Sequence, residues 1–179
     1  MKHLMIDLET MGTQPDAVIL TIGAVFFDPD ENQLGEQFYT CVDLQSSLDA
    51  GRTIDASTLK WWFTQGEEAQ QELFSSMEPM PLLAALVDFT EFCAKGGNAL
   101  TPWSNGLNFD VALLENALSA AGLEMPWKFW NLMDVRTIKK LAENKVQVSD
   151  FPFGGVKHNA LHDAIHQAEY VSAMWRELR

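Results

Sequence analysis

The order of elements readable along this chain predicts an α/β fold, a mixed β-sheet flanked by α-helices. Strand-like segments cluster at the N-terminus as an antiparallel meander, and strands then alternate with helices towards the C-terminus. Composition agrees: 47% of the 179 residues are hydrophobic and 21% charged, enough apolar material for a sizeable core. No repeat, low-complexity tract or linker divides the chain, so residues 1–179 read as a single domain.

The first strand is the apolar run Leu4-Met5-Ile6-Asp7-Leu8-Glu9. Val18 to Phe27, rich in β-branched and aromatic residues, is the second. Asp28 to Gln33 carries turn chemistry, and Leu34 to Val42 follows as the third strand. Asp55-Ala56-Ser57-Thr58 offers helix caps ahead of a short helix, Leu59 to Phe63, that ends near Gly66. From Pro81, the residues Leu82, Leu83, Leu86, Phe89 and Cys93 recur at helical spacing until Gly96-Gly97. Ala99 to Ser104 reads as a strand. Phe109, Leu113, Asn116, Ala117 and Ala120 mark one face of the next helix, closed by Gly122. Asp134 caps a helix over 135–144, and the last helix spans about 159–178.

Within this frame, Asp7 and Glu9 stand out. Side chains two apart on a strand share a face, so two carboxylates project together from an apolar element. Buried and unpaired they would cost several kcal/mol each, so either a divalent cation neutralises them or Asp7 caps a turn and Glu9 is solvated. Carboxylate oxygens are hard ligands, which favours Mg²⁺ or Mn²⁺ over zinc. Asp110 falls in the first turn of its helix, after the turn Asn105-Gly106-Leu107-Asn108 at the edge of the sheet. There it serves either as a metal ligand or as a first-turn acid favoured by the helix dipole.

Three of the four histidines lie at intervals of four, at His158, His162 and His166. Such spacing is used by helical zinc sites, but Asn159 occupies the place where a zinc hydrolase carries glutamate. His158 and Asp163 are about 140° apart on a helix, so they share a site only if His158 lies in the preceding loop. The run Phe151-Pro152-Phe153-Gly154-Gly155 supplies one. A loop histidine beside metal-bound carboxylates suits a general base, its pKa of about 6.5 being near working pH.

These pieces, in this order, resemble the DEDDh branch of the DnaQ-like 3′–5′ exonucleases. Asp7-Leu8-Glu9 matches the first motif, Asn108-Phe109-Asp110 the second, and His158 with Asp163 the third. Trp61-Trp62 and Asp134-Val135-Arg136-Thr137 resemble features of the small stand-alone bacterial and phage members. The resemblance implies an RNase H-like fold and a metal-dependent 3′–5′ exonuclease. Asp7, Glu9, Asp110 and Asp163 would hold two Mg²⁺ or Mn²⁺ ions, with His158 as general base. The product would be a nucleoside 5′-monophosphate from the 3′ end of a single-stranded or overhanging nucleic acid. RNA is favoured over DNA by analogy with the small relatives. Met11, Gly12, Trp61, Trp62, Asn108, Phe109 and Arg136 are the expected substrate contacts, with stacking on Phe109 or a tryptophan.

Charge qualifies this reading. A net charge of −13 disfavours a polyanion at long range. Between Lys128 and Lys157, however, six basic residues face three acidic ones. That segment, through Arg136, Lys139, Lys140 or Lys157, fits contact with the next phosphates, and the balance points to a distributive enzyme. Other readings are an exodeoxyribonuclease or proofreading-type subunit of the same fold, and, in another class, an acidic mimic of nucleic acid. No apolar stretch approaches the roughly 20 residues that cross a bilayer, and acids interrupt any signal-peptide core. Cys41 and Cys93 form no CxxC pair, so a reducing cytoplasm is the expected compartment, and a homodimer is compatible with the six tryptophans.

Overall fold

The computed structural model describes residues 1–75 and 78–179. Five strands form one mixed sheet: β1 (His3–Thr10), β2 (Ile19–Asp28), β3 (Gln33–Cys41), β4 (Thr101–Ser104) and β5 (Met133–Asp134), in the order β3-β2-β1-β4-β5. The N-terminal meander is antiparallel, while β4 pairs parallel to β1 and β5 parallel to β4. The helices are α1 (Leu44–Asp49), α2 (Ala56–Trp62), α3 (Glu67–Ser75), α4 (Leu82–Ala94), α5 (Asp110–Ala120), α6 (Val135–Ala142) and α7 (Ala160–Glu177). Among the described residues no helix is long and apolar enough to cross a membrane.

Period-two alternation in β1 divides the core. Leu4, Ile6 and Leu8 face one layer, packed with Leu86 and Phe89 of α4 and Leu113 and Leu114 of α5. Met5 faces the other, with Trp103, Val135 and Ile138 of α6, and Ala164, Val171 and Met174 of α7. Asp7 and Glu9 continue the second set, so the same alternation that builds the core aims both acids towards the α7 side.

Helix α7 reaches them because Gly23 has no side chain. Gly23 pairs with Asp7 across β1 and β2, and a Cβ there would lie 2.2 Å from the backbone of Ala160 and Leu161. Backbone cannot yield as a side-chain tip can, so only glycine lets the first turn of α7 lie on the sheet beside Asp7. Asn159 starts the helix, its Oδ1 accepting from the N–H groups of Leu161 and His162, both at 3.0 Å.

The expected elements are present with shifted ends. β4 begins at Thr101, because Gly97–Ala99 form a 3-10 turn, and α6 stops at Ala142. The short helices α1 and α3 and the two-residue edge strand β5 carry too little periodic pattern to be anticipated.

Gly23→Ala is expected to destabilise the protein by about 1–3 kcal/mol, the usual scale of overpacking against immovable atoms. Thermal denaturation followed by circular dichroism checks this; an unchanged midpoint would show that α7 does not dock as described.

Candidate active site

Three elements converge where β1 ends. Asp7 and Glu9 come from β1 and Asp163 from the first turn of α7, and one carboxylate oxygen from each lies within 4.8 Å of the others. Asp110, at the start of α5, stands outside that group of three. Its Oδ1 accepts from the N–H of Leu8 at 3.3 Å, beyond Met5–Trp103, the last pair of the β1–β4 ladder. The fourth acid therefore takes a strand donor that the sheet has left unpaired.

Like charges crowded out of water resist ionisation. Burial raises the Asp7 pKa well above the ordinary carboxylate range, and the charges of Asp110, Glu9 and Asp163 push the same way. Glu9, only 7% exposed, is raised by burial and by Asp163 and Asp110. Asp110, 3% exposed, is pushed up to about 7 by burial, which the Leu8 N–H and the Arg136 charge offset only partly. Burial also raises Asp163, against the His158 backbone N–H and nearby histidine charges. Among the described residues no lysine, arginine or histidine forms an ion pair with any of the four. Such a donor set fits hard divalent cations.

Supporting groups hold the acids in place. Gln167, one turn after Asp163 on α7, donates from its amide Nε2 to Asp7 Oδ1 at 2.8 Å, while its buried Oε1 has no partner among the described residues. His158 precedes the helix in a left-handed conformation, φ 64°, and its N–H donates to Asp163 Oδ2 at 2.8 Å. Its ring stands edge-on to Trp61 at 5.1 Å and to Trp62 at 6.0 Å. Asn159 Nδ2 donates to Glu72 Oε1 at 2.6 Å, tying α3 to the start of α7. His162 Nδ1 accepts from the Val156 N–H, and His166 packs between Phe153 and Tyr170, so the three histidines do not form one cluster.

A cleft of about 390 Å³ opens beside Glu9, bordered by Thr10, Gly12, Thr13, Ser57, Thr58, Trp61, Trp62 and Phe109. Trp61 is 42% exposed, whereas Trp62 is 3% exposed and donates from Nε1 to the Thr10 carbonyl at 2.9 Å. One tryptophan thus offers its face and the other anchors α2. A Cβ on Gly12 would lie 2.9 Å from Ala17 and 3.1 Å from Asp55, so the cleft wall admits no side chain there. Met11 does not line the cleft. Its side chain packs with Val18, Leu20 and Trp62, and its N–H and C=O are spent on Val18 and Asp55. Asn108 is exposed and absent from the cleft lining. Arg136 is exposed on α6 with its guanidinium over Gly106, flanking Asp110 and outside the cleft.

Gln167, Thr13, Ser57 and Thr58 had not been singled out from sequence. For Gln167 the available signal is its spacing of four from Asp163; for Ser57 and Thr58 it is their position one turn before Trp61 and Trp62.

Comparison with known proteins gives the family and the fold. The family model of the 3′–5′ exoribonuclease Rv2179c-like domain matches residues 2–175. The exodeoxyribonuclease of Enterobacteria phage T4 is 28% identical over 195 residues, covering 93% of this chain and 84% of that protein. Among solved structures, the nuclease domain of 3′hExo, a DEDDh family member bound to rAMP, superposes with a TM-score of 0.60 at 14% identity, covering 98% of this chain and 92% of that one. E. coli Exonuclease I in complex with a dA16 oligonucleotide gives 0.65 at 14% identity, covering 98% of this chain but 42% of the larger enzyme. The shared fold is that of the RNase H-like exonucleases.

The acids predict a pH signature. A carboxylate raised in the folded state contributes stability at low pH and loses it as pH climbs through the folded value. Metal-free protein should therefore lose melting temperature relative to an Asp110→Asn variant as pH rises from 3.8 to about 7. A constant difference between the two proteins across that range would contradict the assignment.

Proposed function

This chain belongs to the Rv2179c-like 3′–5′ exoribonuclease domain family, and from that premise we propose that it removes nucleoside 5′-monophosphates singly from the 3′ ends of RNA. Single strands and overhangs are the proposed substrates. The carrying observation is the convergence of Asp7, Glu9 and Asp163 within 4.8 Å, with Glu9 also lining a cleft sized for one small ligand. DNA is the second reading, favoured by the likeness to a phage exodeoxyribonuclease.

Two Mg²⁺ or Mn²⁺ ions, held by Asp7, Glu9, Asp110 and Asp163, would supply charge neutralisation at the scissile phosphate and acidify a water. The chain's own groups do the rest. The cleft takes the terminal nucleoside, with the Trp61 and Phe109 faces available for a base. The Thr13, Ser57 and Thr58 hydroxyls are placed to meet its sugar. His158 accepts the proton of the water that attacks phosphorus, and the bond to the preceding sugar's 3′ oxygen breaks, that oxygen taking a proton from solvent to leave a 3′-hydroxyl beside the released 5′-monophosphate. Its left-handed backbone, the clamp to Asp163 and the two tryptophan edges restrict where the imidazole can be. Asp7 is kept ready for a cation by the Gln167 amide, which donates to it without supplying charge.

The test is a gel-resolved digestion of matched 5′-labelled RNA and DNA strands with Mg²⁺, Mn²⁺ or EDTA. The expected result is a metal-dependent ladder shortening from the 3′ end, faster on RNA. No cleavage of either strand would overturn the reading, and faster DNA cleavage would establish the second one. His158→Ala should lower the rate by roughly 10²–10⁴ with metal binding retained. An Asp7→Ala variant that still cleaves at the native rate would sink the metal assignment.

A further inference from the structure

The cations of this acidic chain are concentrated, and one of them, Arg136, acts on a site carboxylate. Half of the twelve lysines and arginines fall between residues 128 and 157. Helix α6 carries Arg136, Lys139 and Lys140, which line a groove of about 340 Å³ together with Glu143, Val148 and Met174. Lys140 is held by Glu143 at 2.7 Å, but among the described residues neither Arg136 nor Lys139 has a carboxylate at ion-pair distance. Arg136 lies over Gly106, its guanidinium carbon 2.9 Å from the place of a Cβ, and its charge acts on Asp110. Lys139, three residues on, sits 5.6 Å from the ring centre of Tyr170. That ring in turn lies within the field of Asp7 and Asp163.

The nucleoside cleft includes Glu9, and the α6 groove includes Arg136, whose charge acts on Asp110; the two share no lining residue. A 3′–5′ exonuclease places the terminal nucleotide on one side of the scissile phosphate and the whole remaining polymer on the other. With the cleft filled, the rest of the strand has to leave along another surface.

We propose that the α6 groove is that exit path, in which Arg136 and Lys139 contact the phosphodiesters on the 5′ side of the scissile bond. The inference rests on the exonuclease reading of the site. The partner is a single-stranded polynucleotide held through its backbone, so the contact carries no base or sugar selection. It also answers the charge problem. At physiological ionic strength the screening length is about 8 Å. Distant acids are damped over that length, whereas phosphates in direct contact with two cations that have no carboxylate at ion-pair distance among the described residues are not. Association is then local and short-lived, as a distributive enzyme requires.

The experiment compares the native protein with an Arg136→Ala/Lys139→Ala variant on a dinucleotide and on a 5′-fluorescein strand of about 12 nucleotides, the span of a typical single-strand site. The variant should lose about 10-fold in kcat/KM on the strand relative to the dinucleotide, mainly through KM. Its dependence of log kcat/KM on log salt should be shallower by roughly 0.7 for each contact removed. Equal losses on both substrates, or none on either, would overturn the exit path. If the native protein cleaves neither substrate, the exonuclease reading has failed, and strand binding in EDTA then decides the groove. Weaker binding by the variant would support a phosphate-contacting surface, and equal binding would overturn it.

Discussion

The structure is organised around repulsion. Asp7, Glu9, Asp110 and Asp163 are brought together from three elements at the end of an apolar strand, and no cationic side chain among the described residues pairs with them. Burial makes these carboxylates harder to ionise, and at Asp7 and Glu9 the neighbouring acids add to the effect. Much of the local architecture reads as the means of holding them there. Gly23 removes the one Cβ that would keep α7 off the sheet. Gln167, the Leu8 N–H and the His158 N–H each give one acid a hydrogen-bond donor of no net charge. These donors fix carboxylate orientation and leave the charge for a cation to satisfy.

A second constraint is the net charge of −13. Long-range attraction to a polyanion is closed to this protein, so recognition has to be short-range. The cleft beside Glu9, with exposed Trp61 and half-buried Phe109, offers stacking that does not depend on charge. On the α6 flank, positive charge is confined to a few side chains. His158 links the two requirements, since it is seated by the same tryptophan pair that borders the cleft.

Legibility followed the range of the interactions. β1, the Asp7/Glu9 pair on one face and the loop position of His158 depend on spacings of two to five residues, and these were readable from pattern alone. The resemblance of ordered motifs to the DEDDh exonucleases points to Asp110 and Asp163, and the family match over residues 2–175 bears out the family. What escaped depends on contacts distant in sequence. Gln167 meets Asp7 across 160 residues, and Glu72 meets Asn159 across 87. Met11 was expected to meet the substrate, yet its side chain is drawn into the pocket of Val18, Leu20 and Trp62, a preference visible only once β2 and α2 are placed. Helices α1 and α3 are held by tertiary hydrogen bonds, such as Gln70 to the Trp62 carbonyl, more than by any helical period.

The central claim is that burial and mutual repulsion oppose ionisation of these carboxylates and that a divalent cation relieves both. The most direct test is isothermal titration calorimetry of Mn²⁺ into metal-free protein near pH 6.5, repeated in buffers of different ionisation enthalpy. Cation binding should release protons, because it favours the ionised form of carboxyls whose pKa is raised by burial, and Asp7→Asn should diminish both the affinity and the release. Binding without proton release, with an affinity indifferent to Asp7→Asn, would contradict the account.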